Sequence, residues 1–118
     1  MAAEKRFEKK VKEFLTENDA WFIKYWGGGG FTKSGIPDLL VCHDGMFLGI
    51  ELKADKGEPS LLQLHNLKRI RAAGGYGILL YPKDWQEFKV FLYKKSQNNS
   101  WYLNNILEQI QWRRKVEE

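Results

Sequence analysis

The run Gly35-Ile36-Pro37-Asp38-Leu39-Leu40-Val41-Cys42-His43-Asp44-Gly45-Met46-Phe47-Leu48-Gly49-Ile50-Glu51-Leu52-Lys53-Ala54 decides the fold. Two apolar segments flank Asp44-Gly45. An Asp-Gly pair between apolar runs is a strong hairpin signal, because the tightest hairpin turn needs residues that tolerate positive φ. Folding at that turn pairs strands at about 38–43 and 46–53 and brings Asp38 and Glu51 to the same end of the hairpin. Glu51 and Lys53 are two apart, so in a strand they share a face. Two carboxylates and an ammonium therefore converge. Two carboxylates suit a divalent metal. A lysine beside them can orient a water and stabilise negative charge on a phosphate. Charged residues at strand ends are commonly just solvated. Here Leu39, Leu40, Val41, Phe47, Leu48 and Ile50 mark both runs as buried, and buried strands rarely hold acids and a lysine together without a task.

Outward from the hairpin, Phe7, Val11, Phe14 and Leu15 recur at helical spacing and predict a helix over 4–18. The aromatic, β-rich segment Ala20 to Trp26 reads as a strand, and Gly27 to Gly35 as a loop. Ser60-Leu61-Leu62-Gln63 has capping-box spacing and opens a helix that Gly74-Gly75 closes. Tyr76 to Tyr81 reads as a strand stopped by Pro82. Asp84 is placed to cap a helix carrying Trp85, Phe88 and Leu92. A last amphipathic helix from Trp101 to about Val116 would turn Leu103, Ile106, Leu107 and Ile110 inward. The order α-β-β-β-α-β, then helices, is an α/β fold with a mixed sheet.

The 118 residues suit one domain, and 43% hydrophobic with 14% aromatic residues suffices for a core and excludes a disordered composition. A net charge of +4 is compatible with a polyanionic partner but too mild to require one. The lone cysteine, Cys42, lies in an apolar run, reads as core, and suits a reducing compartment. No stretch approaches the roughly 18 apolar residues of a membrane span, and no signal-peptide pattern opens the chain. A soluble cytoplasmic protein is the expectation.

Pro37-Asp38, then Glu51-Leu52-Lys53 across a hairpin, then Gln63 on the following helix, resembles the PD-(D/E)XK nuclease superfamily. The closer resemblance is to the VRR-NUC family of virus-type replication-repair nucleases. It is carried by the acidic helix Glu4 to Leu15, Lys24, the Gly-rich loop Gly27 to Gly35, Gly35-Ile36-Pro37-Asp38, Glu51-Leu52-Lys53 and Ser60-Leu61-Leu62-Gln63. It covers about residues 4–82 of a single domain spanning 1–118, and leaves a C-terminal helical extension at about 83–118. The resemblance implies a restriction-endonuclease-like fold. It also implies one or two Mg²⁺ ions, with Mn²⁺ as substitute, held by Asp38, Glu51 and the Leu52 backbone carbonyl. Lys53 would hold or activate the attacking water, or neutralise developing charge. Gln63 would hydrogen-bond that water or the Lys53 ammonium.

The supporting residues leave alternatives open. Gln63 can instead complete the capping box with Ser60, and one side chain is not expected to serve both roles. Related resolvases place a metal-site glutamate on the first helix. Glu8 fits that spacing better than Glu4, and a solvated helix face is the alternative for both. Lys24, Lys33 and Ser34 are candidate DNA contacts, with plain exposure the alternative. His43 and His65 lack paired ligand spacing, so no zinc site is expected. The tryptophans read as core or interface.

The function so implied is a metal-dependent endonuclease that resolves four-way junctions as a homodimer, since symmetric incision needs two active sites. Trp85, Trp101 and Trp112 are the expected interface. A nicking, flap or restriction-like nuclease is the alternative within the same chemistry. A catalytically silent nucleic-acid-binding module or accessory subunit is the alternative outside it, disfavoured because bare acids repel phosphate.

Overall fold

The computed structural model describes residues 2–26, 34–93 and 99–117, with the side chains of Asn99 and of residues beyond Gln109 outside the description. The Gly27 to Gly30 run and Lys33 therefore lie outside the described residues. Helix α1 (Ala3–Glu17) buries Phe7, Val11 and Leu15 along one stripe. Asn18 ends it: its amide donates to the Phe14 carbonyl at 2.8 Å, and Asp19 takes φ 59°. Strands β1 (Trp21–Lys24), β2 (Leu39–His43) and β3 (Met46–Leu52) follow as an antiparallel meander. Asp44 and Gly45, at φ 49° and 77°, form the two-residue turn that fixes the β2–β3 register. Helix α2 (Leu61–Ala72) carries the chain across to β4 (Tyr76–Leu80), which pairs parallel with β3. A parallel neighbour requires such a crossover. The sheet order is β1-β2-β3-β4, the expected mixed sheet.

Helices cover both faces. On one, Phe7, Val11 and Leu15 of α1 and Trp85, Phe88, Phe91 and Leu92 of α3 (Trp85–Tyr93) pack on Leu39, Val41, Leu48, Ile50, Leu52, Ile78 and Leu80. Aromatic edges order this layer: Trp85 meets Phe7 and Phe14 edge-on at 5.9 and 5.2 Å. Trp85 is thus core. Asp84 does not stand outside α3 as a cap; it belongs to the 3-10 turn Pro82–Asp84 that runs into the helix. On the other face Leu64 and Leu67 of α2 cluster with Leu79, Tyr81 and Ile106 of α4 (Asn99–Glu117).

Two expectations about burial are corrected. Helix α4 turns Ile106 inward, but Leu103 and Leu107 are 62% and 52% exposed. The Ile110 side chain lies outside the described residues. The cause is what α4 packs against. It covers the free edge of β4, and its Asn105 donates to the Leu79 carbonyl and accepts from the Leu79 N–H, both at 2.8 Å. One side-chain amide thereby replaces a missing strand at that residue, and a polar residue takes the inward position. Cys42 and Phe47 are exposed, not core. Helix α2 covers β3 and β4 and leaves the same face of β1 and β2 open. There Trp21, Cys42 and Phe47 form a cross-strand row beside Ile23.

The closeness of α2 depends on Gly77. A Cβ there would lie 2.2 Å from the Leu67 carbonyl oxygen, a backbone atom that cannot swing aside. Gly77→Ala should therefore lift α2 from the sheet and cost at least about 1–3 kcal/mol, the usual range for overpacking. Chemical denaturation of the variant against the parent measures this.

Candidate active site

The β2–β3 ladder builds the site. Leu39 faces Ile50 in register, so the next position outward sets Asp38 across from Glu51. Cross-strand partners share a face, and this face lies under α2. Asp38 is held at both ends of its residue. Its carboxylate accepts from the Leu52 N–H at 2.8 Å, and its main-chain carbonyl accepts from the Tyr25 N–H at 2.9 Å. Glu51 is 2% exposed, the one charged residue counted among the buried side chains described. Its Oε2 accepts from the Gln63 side-chain amide at 2.9 Å and lies 3.6 Å from the Lys53 ammonium. Its Oε1 is buried and has no hydrogen-bond partner.

Gln63 overturns the expectation that one side chain could not serve both cap and site. Its Oε1 accepts from the Ser60 N–H at 2.8 Å, and Ser60 Oγ accepts in return from the Gln63 N–H at 3.1 Å. Its Nε2 is left to donate to Glu51. An amide has a separate acceptor and donor end, so the capping box aims the donor at Glu51.

Burial, and then the charge of Asp38, push the Glu51 carboxyl up to about 8; Lys53 pulls it back only in part. Without a further cation Glu51 is therefore largely protonated near neutrality. The orphaned Oε1, the second acid beside it and the raised pKa all describe a place short of positive charge. An all-oxygen donor set of Asp38, Glu51 and the Leu52 carbonyl fits a hard divalent cation such as Mg²⁺ or Mn²⁺.

Glu8 does not join this pair. Among the described residues no group of three or more His, Cys, Asp or Glu side chains could hold one ion. Glu8 is instead ion-paired with Lys24 of β1, and with Lys12 at 3.2 Å. Burial pushes the Glu8 carboxyl up, but Lys24 and Lys12 outweigh it and hold it below the usual range. Lys24 is thereby committed, with its ammonium also 5.0 Å from the ring centre of Trp26. Glu4 is exposed. Ser34 is exposed, and its carbonyl accepts from the Asn66 amide at 3.2 Å, tying the end of the loop to α2. Lys33 lies outside the described residues. His43 and His65 belong to no metal-ligand group, among the described residues.

The raised Glu51 pKa has a thermodynamic consequence. Between the unfolded value of 4.5 and about 8 the folded chain binds more protons than the unfolded chain. Stability then falls as pH rises through that window and the buried carboxylate ionises. In metal-free buffer, Glu51→Gln should stabilise the protein more at pH 8 than at pH 5. Denaturation midpoints of both proteins at the two pH values test this, and equal differences would contradict it.

Two comparisons with known proteins bear on the family and the fold. A family model described as archaeal Holliday junction resolvase (Hjc) matches residues 2–115. The match extends through the C-terminal helices, beyond the 4–82 stretch that carries the motif resemblance. A solved structure described as a VRR_NUC domain superposes with a TM-score of 0.58 at 25% identity, covering 77% of this chain and 96% of its own. No curated protein matches. With residues 2–115 matched, nearly its whole length, the chain belongs to the archaeal Holliday junction resolvase family.

Proposed function

We propose that this resolvase-family nuclease is a divalent-metal-dependent DNA endonuclease that cuts branched DNA, four-way junctions foremost, as a homodimer. The observation that carries the reading is Glu51: a buried carboxylate, in register with a second acid, with one oxygen unsatisfied. A fold keeps such a costly group only where something compensates it. A polyanionic substrate cannot, since phosphate would add to the repulsion.

Asp38, Glu51 and the Leu52 carbonyl would hold the cation. When bound, it supplies positive charge against the scissile phosphate and makes water easier to ionise. The chain's own groups do the rest. Gln63 fixes Oε2 of Glu51, leaving Oε1 free as a ligand atom. The Leu52 N–H orients the Asp38 carboxylate. Glu51 gives up its proton before it can act as a ligand, so activity should rise with pH across the neutral range. Lys53, 18% exposed and 3.6 Å from Glu51, presents its ammonium to the reacting phosphate or to its water. Glu8 and Lys24 would brace α1 against β1 beside the site.

Symmetry supports the homodimer, since a four-way junction needs two paired incisions. Trp85 cannot supply an interface, being 7% exposed within the core. Trp101 is half-buried against Phe91, and the Trp112 side chain lies outside the described residues. The exposed apolar side chains Trp21, Ile23 and Phe47 are better placed to be covered. No helix among the described residues is long and apolar enough to cross a membrane.

Labelled four-way junction, flap, linear duplex and single strand, incubated with Mg²⁺, Mn²⁺ or EDTA, test the proposal. Junction cleavage with either metal and none in EDTA is expected. Asp38→Asn and Glu51→Gln should abolish cutting while keeping the fold and DNA binding. Lys53→Ala should cut about 100- to 1,000-fold more slowly, the usual cost of one transition-state charge contact. Equal cutting of linear duplex by a protein that stays monomeric on DNA would favour a nicking or restriction-like enzyme.

A further inference from the structure

Lys53 is the last charged residue of the site and follows directly on β3. Its main chain is anchored by the bond from its N–H to the Leu80 carbonyl at 3.1 Å. That bond places the Cα but leaves four side-chain torsions undetermined. Unrestrained lysines lose considerable entropy when held in one pose. The structure nonetheless keeps this one 18% exposed, with its ammonium near Glu51.

The turn after β3 supplies the restraint. The Gly57 N–H donates to the Ala54 carbonyl at 2.9 Å, folding the chain back over Lys53. A Cβ on Gly57 would lie 3.3 Å from Lys53 Cδ, 3.4 Å from Lys53 Cβ and 3.3 Å from the Ala54 carbonyl oxygen. The bare glycine backbone therefore lies against the aliphatic stem of the lysine. The turn is tied from the far side, where the Tyr81 hydroxyl donates to the Gly57 carbonyl at 2.8 Å. Tyr81 is itself 6% exposed and packs with Leu64, Leu67, Leu79 and Ile106. The chain of contacts thus runs from the C-terminal helix through Tyr81 and Gly57 to Lys53.

We infer that the Gly57–Tyr81 latch is a positioning device for the Lys53 ammonium, and that the C-terminal helix acts on the reaction through it. The inference rests on the proposed role of Lys53 in cleavage. Tyr81 acts through the turn: its hydroxyl holds Gly57, and Gly57 lies on the Lys53 stem. A side chain displaced by about 1 Å can cost on the order of 100-fold in rate, so the latch should matter to turnover without being needed for DNA affinity.

Two variants test it. Tyr81→Phe removes the tie and keeps the ring. Gly57→Ala keeps the tie and crowds the lysine stem. Acetylation of the metal-free protein, mapped lysine by lysine, reads the restraint directly and does not depend on any nuclease activity. Lys53 should react at least about threefold faster in both variants through local opening, with ion-paired Lys24 unchanged. Single-turnover cleavage of a four-way junction at saturating DNA should slow by roughly 10- to 100-fold, with junction affinity unchanged. Unchanged Lys53 reactivity in both variants overturns the latch, and so does an equal rise at Lys24, which signals general loosening. A freed Lys53 with undiminished cleavage overturns its positioning role. A freed Lys53 in a protein whose parent cuts no DNA upholds the latch and instead removes the nuclease reading.

Discussion

The structure depends on keeping a carboxylate inside a sheet. Glu51 sits on the central strand between β2 and β4, under a helix, with a second acid across the ladder. Desolvation and like charge both oppose its ionisation. The surrounding contacts are arranged around that cost. Asp38 is turned onto a backbone N–H, Lys53 approaches from the same face, and Gln63 reaches down from α2. One oxygen is left over. A fold optimised only for stability would place an apolar residue there, as it does at Leu48, Ile50 and Leu52 on the opposite face of β3.

Helix α2 links stability and chemistry through a single residue. Its N-terminus needs partners for unsatisfied N–H groups, and the capping box with Ser60 provides them. The same box holds the Gln63 amide so that its donor end meets Glu51. The first turn of α2 is therefore as much part of the site as the strands. Gly77 serves the same end from below, because its missing side chain lets α2 come close to the sheet.

The C-terminal helices are more than a lid on the core. Asn105 satisfies the free edge of β4, and Arg71 of α2 donates to the carbonyls of Gly77 and Tyr102 at 2.8 Å each. These bonds lock α4 to the parallel pair β3–β4, whose ends carry Glu51 and Lys53. On the face of the sheet that α2 covers, nothing comparable lies over β1 and β2, where apolar side chains remain exposed among the described residues.

The element order and mixed sheet follow from local signals: apolar spacing in α1, Asp44-Gly45 at the hairpin, the Ser60 capping box, and Gly74-Gly75 after α2. The convergence of Asp38, Glu51 and Lys53 was legible too, because hairpin register and strand alternation depend only on sequence separation. Burial on the outer faces was not legible. Cys42, Phe47, Leu103 and Leu107 are apolar or nearly so in suitable patterns, yet they are exposed, since a pattern shows which residues share a face but not what covers it. The pairing of Glu8 with Lys24, the double use of Gln63 and the bond from Tyr81 to Gly57 join residues 16, 12 and 24 positions apart. Such contacts are decided by how helices and turns settle on the sheet. The sequence by itself determined which charged groups meet along the hairpin; only the tertiary structure decided which of them are satisfied, because their remaining partners arrive from other layers.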